Sequence, residues 1–416
     1  MKYFFVLYWL CQQSPLKAQY PVNMNNYLVS DFTTIKFINS NNNLKFEIPP
    51  WTIAGRWHTY LIVNGSACYT FSSPDNLITN NILNCKKVAP KFAVGPVSFL
   101  PWKRNYCSIY SAHFITHPIQ GNINIGFCHN ENKNGCHQQN TINPLITPLC
   151  GTTTDFSAYF AMVSAVWTPN NENTNWGQKG YDHDLGPILW PSAGYVAQDN
   201  SNATEGLLQP SSIINGDYIY IFIWDKGALG NAKRHEGKSK GIKVVRTTIA
   251  NSTNPSLYEV YYKSLNGVVQ WLPSLPIGFT KETMLKYLKT PGPKSTSILT
   301  DEISGNTQAF RFAVAKVKNK DYFIGCEEYI DNSDSERHHI ALRFSNNLID
   351  WSPRKKIIET SKNWDASRMN YPIFLSADGW TNTEIDLNDF YLIGTNSQSP
   401  FSRNLNRLHI TLNSTF

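Results

Sequence analysis

The chain of 416 residues is short of charge. Asp, Glu, Lys and Arg make up 16% of it, well under the usual quarter. That shortage argues against helical bundles, whose solvent faces are built from Glu and Lys. Long apolar runs are also missing. The longest, Tyr3 to Cys11, is too short for a bilayer, which needs about 20 residues, so no membrane span is expected. No long stretch keeps a helical period. Cys128-His129 and Cys136-His137 lack the paired spacing of a zinc finger, and no metal ligands are assigned.

What is present is aromatic. Phe, Trp and Tyr reach 13%, alongside abundant Asn, Gly and Pro. That mixture predicts many short strands joined by polar turns. The net charge is +7, and much of it lies between Lys226 and Arg246. A basic run can attract an acidic polymer. This one has no interleaved aromatics, as single-strand binding would need, so it reads as a solvated loop and no nucleic acid is expected.

The first 18 residues, MKYFFVLYWLCQQSPLKA, read as an export signal: Lys2 leads, an apolar run follows, and Ala18 precedes the cleavage point. The expected location is secreted or periplasmic. Beyond Cys11 stand Cys68, Cys85, Cys107, Cys128, Cys136, Cys150 and Cys326. Clustering before residue 150 in an exported chain favours disulfides, with Cys326 as the thiol left over. Asn64, Asn202, Asn251 and Asn413 head glycosylation sequons.

Strand signals recur in a fixed order. Asp217 to Asp225, DYIYIFIWD, alternates and is rich in β-branched and aromatic residues. Phe310–Val317, Asp321–Ile330, His338–Ser345 and Asp389–Asn396 read alike. Tight turns at Asn215-Gly216-Asp217 and Lys318-Asn319-Lys320 make hairpins of two pairs. The repeat is an inner strand, a turn, an aromatic second strand, a third strand ending in Ser or Thr, and a short fourth. It runs through 309–317, 321–330, 338–345 and 353–359, and through 208–215, 217–225, 241–248 and 258–271. It is stretched over 105–115, 122–130, 158–168 and 186–190, and rough over 45–56, 57–64, 67–73 and 82–89. The fifth unit, 370–376, 389–395 and 406–412, lacks a fourth strand, which the segment near 28–38 could supply. FSNNLIDW at Phe344–Trp351 and FSSPDNLIT at Phe71–Thr79 are then the same corner, from third strand to turn, in two units. The prediction is an all-β fold: a single five-bladed β-propeller of four-stranded blades over residues 19–416, closed by an N-terminal strand. Its blades fall at roughly 45–90, 96–195, 205–285, 308–360 and 368–412.

The S-x-x-L-x-x-W corner, GFCHNE at Gly126–Glu131, LLQPSSIINGDYIYIF at Leu207–Phe222, GIKVVRT at Gly241–Thr247, VYYKSLNGVVQW at Val260–Trp271 and YPIFLSADG at Tyr371–Gly379 resemble the five-bladed propeller glycosidases. That group comprises arabinanases, xylosidases, fructosidases and mannoside phosphorylases. The resemblance spans roughly residues 45 to 412. It implies a funnel at the propeller centre, carboxylates on inner strands and a carbohydrate partner. Glycosidic cleavage needs one carboxylic acid to protonate the leaving oxygen and a second carboxylate as base or nucleophile. The chain departs from the family pattern in blade one, where KFEIPPW has no Asp-Pro, and before LLQPS, where Glu205 is the nearest acid.

The candidate acids are Glu131, Glu205 and one of Glu327 or Glu328, since adjacent strand residues face opposite ways. His129 shares a strand face with Glu131. Arg311 would be costly to bury unpaired. Trp57, Arg368 and Asn370 complete the expected sugar-binding set, while His113 reads as a core histidine. No cofactor is expected. A calcium ion is left open, although no loop has the oxygen spacing of a known calcium motif. The expected protein is a monomeric, secreted carbohydrate-active propeller that hydrolyses a poly- or oligosaccharide. The alternatives are a sugar-binding propeller without catalysis and an exported protein-interaction propeller.

Overall fold

The computed structural model describes residues 27–38, 82–84, 106–132, 159–169, 183–192, 204–226, 241–280, 283–287, 290–299, 307–331, 337–359, 370–377, 383–399 and 402–412. Among them regular structure is all strand apart from short 3-10 turns. No helix among the described residues is long and apolar enough to cross a membrane. The expected first blade, including Trp57, lies outside the described residues except for Ile82–Asn84.

In chain order the strands are β1 (Tyr27–Ile38), β2 (Ile82–Asn84), β3 (Tyr106–His117), β4 (Gly121–Asn132), β5 (Tyr159–Pro169), β6 (His183–Pro187), β7 (Thr204–Asn215), β8 (Tyr218–Asp225), β9 (Gly241–Thr248), β10 (Glu259–Lys263) and β11 (Val269–Pro273). They continue with β12 (Thr307–Val317), β13 (Phe323–Asp331), β14 (Arg337–Ser345), β15 (Lys355–Glu359), β16 (Asn370–Ser376), β17 (Glu384–Ile385), β18 (Phe390–Ser399) and β19 (Ser402–Leu412).

These strands form antiparallel meanders. β3-β4-β5-β6 is one, β7-β8-β9-β10-β11 a second and β12-β13-β14-β15 a third. β16, β18 and β19 form the next, and β1 pairs antiparallel with β19 as its fourth strand, Tyr27 opposite Leu412. The leading strands of successive meanders touch: β3 meets β7, β7 meets β12, and β12 meets β16. They are therefore the inner strands of a curled all-β assembly.

The turns follow from residue chemistry. Gly216 (φ 58°) and Asn319 (φ 59°) hold the left-handed backbone that the β7–β8 and β12–β13 hairpins need. One expected strand, 258–271, is two. Ser264-Leu265-Asn266-Gly267 turns back, Gly267 adopting φ 80°, and Ser264 N–H closes onto Val268 O at 2.9 Å.

The corner after β14 is set by its side chains. Ser345 Oγ accepts from Leu348 N at 2.9 Å, and Asn347 Oδ1 accepts from Asp350 N at 2.8 Å. Leu348 is thereby held at φ 68° and fully buried. Trp351 Nε1 donates back to Leu348 O at 3.1 Å, and its ring stands edge-on to Phe312 at 4.7 Å. Leu348, Phe312, Phe222, Val244 and Phe323 share the core between the second and third meanders, with Trp351 packed against it. A second core of Phe127, Val163, Ile221, Ile223 and Val245 lies between the first and second. β8 buries both parities of its residues because Phe222 and Trp224 enter one core while Ile219, Ile221 and Ile223 enter the other.

Candidate functional site

Each inner strand breaks register with its partner at one place. In β3·β4 the break lies between Ile109 and Ser111, in β7·β8 between Leu208 and Ser211, in β12·β13 between Ala309 and Arg311, and in β16·β18 between Asn370 and Ile373. Such bulges bend a strand and re-aim its side chains, and they gather at barrel rims and active sites. The residue that follows the break is Ser111, Ser211, Arg311 or Ile373. Opposite it stand Phe127, Phe222, Glu328 and Ile393.

This alignment isolates the third meander. Where two others have Ser facing Phe, it has Arg311 facing Glu328. Both are buried, Arg311 completely. Two charges taken from water into a dry wall cost several kcal/mol each unless well compensated, so apolar packing alone does not account for them. Cys326 lies nearby. Burial pushes its thiol well up, opposed by the Arg311 charge and reinforced by Glu328 and Glu327. It is a thiol, as expected. Cys128 was expected among the disulfide-bonded cluster and is also a buried thiol.

The inner strands of the first two meanders are joined by neutral groups. Ser111 Oγ meets Ser212 Oγ, and His113 Nε2 lies 2.7 Å from Ser212 Oγ. Ser211 Oγ donates to Phe312 O across to β12. Burial lowers the His113 pKa to about 4. A neutral imidazole fits this dry hydroxyl chain.

Adjacent Glu327 has a different neighbourhood. Its Oε2 accepts from Arg343 Nε at 2.5 Å and its Oε1 from Arg354 at 2.7 Å. Arg343 reaches on to Ser352 O at 2.9 Å, and Arg354 lies over the Tyr329 ring at 4.1 Å. Both carboxylate oxygens serve a clamp that ties β13 to β14 and to the strand-leading segment of β15. Glu328, on the other face, is the one turned toward the inner-strand arginine.

Backbone register brings two further candidates together. Sheet order there is β4-β5-β7-β8. Glu131 shares a cross-strand row with Ala161 and Gly206, and Glu205 occupies the next row opposite Phe160. Asp225 follows opposite Leu207. Two strand spacings, about 10 Å, separate β4 from β7. Asp225 is buried and accepts from Ser192 Oγ at 3.2 Å. Ser192 also meets Ser295 at 2.9 Å, and buried Lys243 reaches Ser295 O at 3.4 Å. Asp225 was not singled out in the sequence, where it closes an apolar strand. The available signal was its position: the third residue past the register-matched Phe222, as Asp331 is past Glu328 and Asn130 past Phe127.

Of the remaining candidates, His129 is buried on β4, opposite Val163. Asn370 begins β16 opposite Thr395, on the break. Arg368 and Trp57 lie outside the described residues. Among the described residues no group of three or more His, Cys, Asp or Glu is placed to hold a metal ion.

No family model and no curated protein sequence matches the chain. Solved structures similar to it include an exo-1,5-α-L-arabinanase from a bovine ruminal metagenomic library, with 9% identity, a TM-score of 0.37, and 78% of this chain and 80% of that one covered. An α-L-arabinofuranosidase from Podospora anserina has 7% identity and a TM-score of 0.34, covering 75% of this chain and 76% of its own. An N-acetylgalactosamine deacetylase from F. plautii has 9% identity and a TM-score of 0.38, covering 79% and 77%. These likenesses are distant.

Proposed function

We propose that the chain is a secreted, five-bladed carbohydrate-active propeller that hydrolyses glycosidic bonds of a poly- or oligosaccharide. The observation that carries this reading is the run of carboxylates at one end of adjacent strands: Glu131, Glu205 and Asp225 in neighbouring rows of β4, β7 and β8. Glycosidic cleavage needs two carboxyl groups several ångströms apart, one to protonate the leaving oxygen and one to activate water or attack the sugar. One of Glu131 and Glu205 takes one of these roles; neighbouring rows turn to opposite sheet faces, so the other does not share the site. Arg311, buried opposite Glu328 across the ladder, supports the inner wall from behind. His129, two residues from Glu131, assists at the same end. Glu327 stays outside the chemistry, because two arginines hold its oxygens.

The test is incubation of the mature chain with plant, fungal and bacterial glycans, with Glu131→Ala and Glu205→Ala alongside. Sugar release by the wild type and its loss in one of the two variants is the expected outcome. Release unchanged in the variants would overturn the assignment. A second reading is a sugar-binding propeller without catalysis. It is favoured by the sequence KFEIPPW, which lacks the Asp-Pro that such enzymes place early in blade one. It predicts saturable glycan binding and no product.

A further inference from the structure

Every meander ends in an outer strand, and a bare outer edge is a template for another chain. Most of these edges are blunted. β6 carries His183, Asp184 and Pro187, and β15 carries Lys355, Lys356 and Glu359. β2 is only three residues long. β11, VQWLP, has no charged side chain and among the described residues is the last strand of its sheet. Leu265, Val268 and Val269 around it are 90%, 55% and 52% exposed.

The hydrogen-bond parity of β11 can be read from its ends. Val268 O accepts from Ser264 N on the turn side, and Ser274 N donates to Tyr258 O ahead of β10, each at 2.9 Å. Even-numbered residues thus turn their amide groups toward β10. By alternation, Val269, Trp271 and Pro273 turn theirs outward.

That outward set is self-complementary. We propose that β11 pairs antiparallel with β11 of a second copy of this chain, about a two-fold axis through Trp271. Trp271 N–H and C=O exchange bonds with the second copy's Trp271. On either side, Val269 N–H donates to the second copy's Pro273 C=O. Proline has no N–H to offer, but it sits at the end of the ladder, where its missing donor terminates the pairing. No like charges meet, because none lies between Val268 and Pro273. The contact is isologous and closes after two copies. It replaces the expected monomer with a dimer. It is independent of the sugar chemistry, since β11 is the outermost strand and the carboxylates lie on strands nearer the centre.

The experiment is sedimentation of the purified mature chain over a concentration series, with Val269→Pro and Val269→Ala. The Val269 N–H points outward, so proline there removes a bond to the second copy and none to β10. The expected result is twice the single-chain mass for the wild type and Val269→Ala. For Val269→Pro the dissociation constant should rise at least about tenfold, since two bonds of the dimer vanish. If circular dichroism shows that Val269→Pro misfolds, Val269→Lys with Gln270→Lys, at exposed side chains, must separate the copies instead. A single-chain mass at every concentration overturns the proposal. So does association unchanged in a folded Val269→Pro or double-lysine variant.

Discussion

The inner walls of the second and third meanders solve one geometric problem with opposite chemistry. At the same register break, β7 presents Ser211 to Phe222 while β12 presents Arg311 to Glu328. The first wall is joined to its neighbours by hydroxyls and a neutral imidazole. The second holds ions, with Glu327 and two arginines behind them. A repeat fixes backbone positions. It leaves the residues at those positions to be chosen by function or by pairing. The hydroxyl wall needs little compensation, whereas the ionic wall depends on every partner.

Four perturbations probe this contrast, in order of expected effect. Glu327→Ala removes the buried carboxylate shared by Arg343 and Arg354 and should cost about 3–5 kcal/mol in a urea titration. A loss under 1 kcal/mol would mean the clamp is not needed for the ionic wall. Acid should act on the other wall. The His113 pKa falls from 6.5 unfolded to about 4 folded, so the unfolded chain binds the extra proton between those values. Its contribution is complete above the unfolded value and is lost as pH falls toward 4, roughly 3 kcal/mol in all. His113→Gln should flatten that part of the pH–stability profile, and an unchanged slope would refute it.

Gly325→Ala comes third. A Cβ there would press on the Phe312 ring and come within 2.9 Å of Trp351 Cζ3, with an expected cost of about 1–3 kcal/mol. The smallest effect is at the corner: Ser345→Ala removes an acceptor for Leu348 N and should cost about 1 kcal/mol. The comparison itself is tested by converting one wall into the other. Arg311→Ser with Glu328→Phe should be more stable than either single variant, because each single change removes only one of two opposite buried charges. Denaturant midpoints of all three decide it. Additive losses would show that the two residues do not act as a pair.

Much of the fold was legible because strand periodicity is local. In the third meander 309–317 became Thr307–Val317, and 338–345 became Arg337–Ser345. The corner FSNNLIDW was legible too, since Ser and Asn acting on the next amides form a short-range device. Register was not. Bulges depend on which residues meet across strands, and no spacing in the sequence announced that Glu328 would face Arg311 while Glu327 met Arg343 and Arg354. Asp225 was missed for the same reason: a strand-ending Asp looks like a turn former until its row is known. The turn at Ser264–Gly267 was overlooked inside a run that alternates well enough to pass for one strand. The departures expected in the first blade, within KFEIPPW, fall outside the described residues.

The pairing of β1 with β19 has a consequence for the making of the chain. Ile35 meets Leu405, so the strand made first must wait for one made about 370 residues later. At a synthesis rate of about 5–20 residues per second, that delay is roughly 20 to 70 s. For that interval YLVSDFTTIKFI, apart from its three-residue pairing with β2, is a strand-prone segment without its long partner. The ribosome's pace, rather than the rate of any conformational step, sets how long a chaperone or export factor has to hold it.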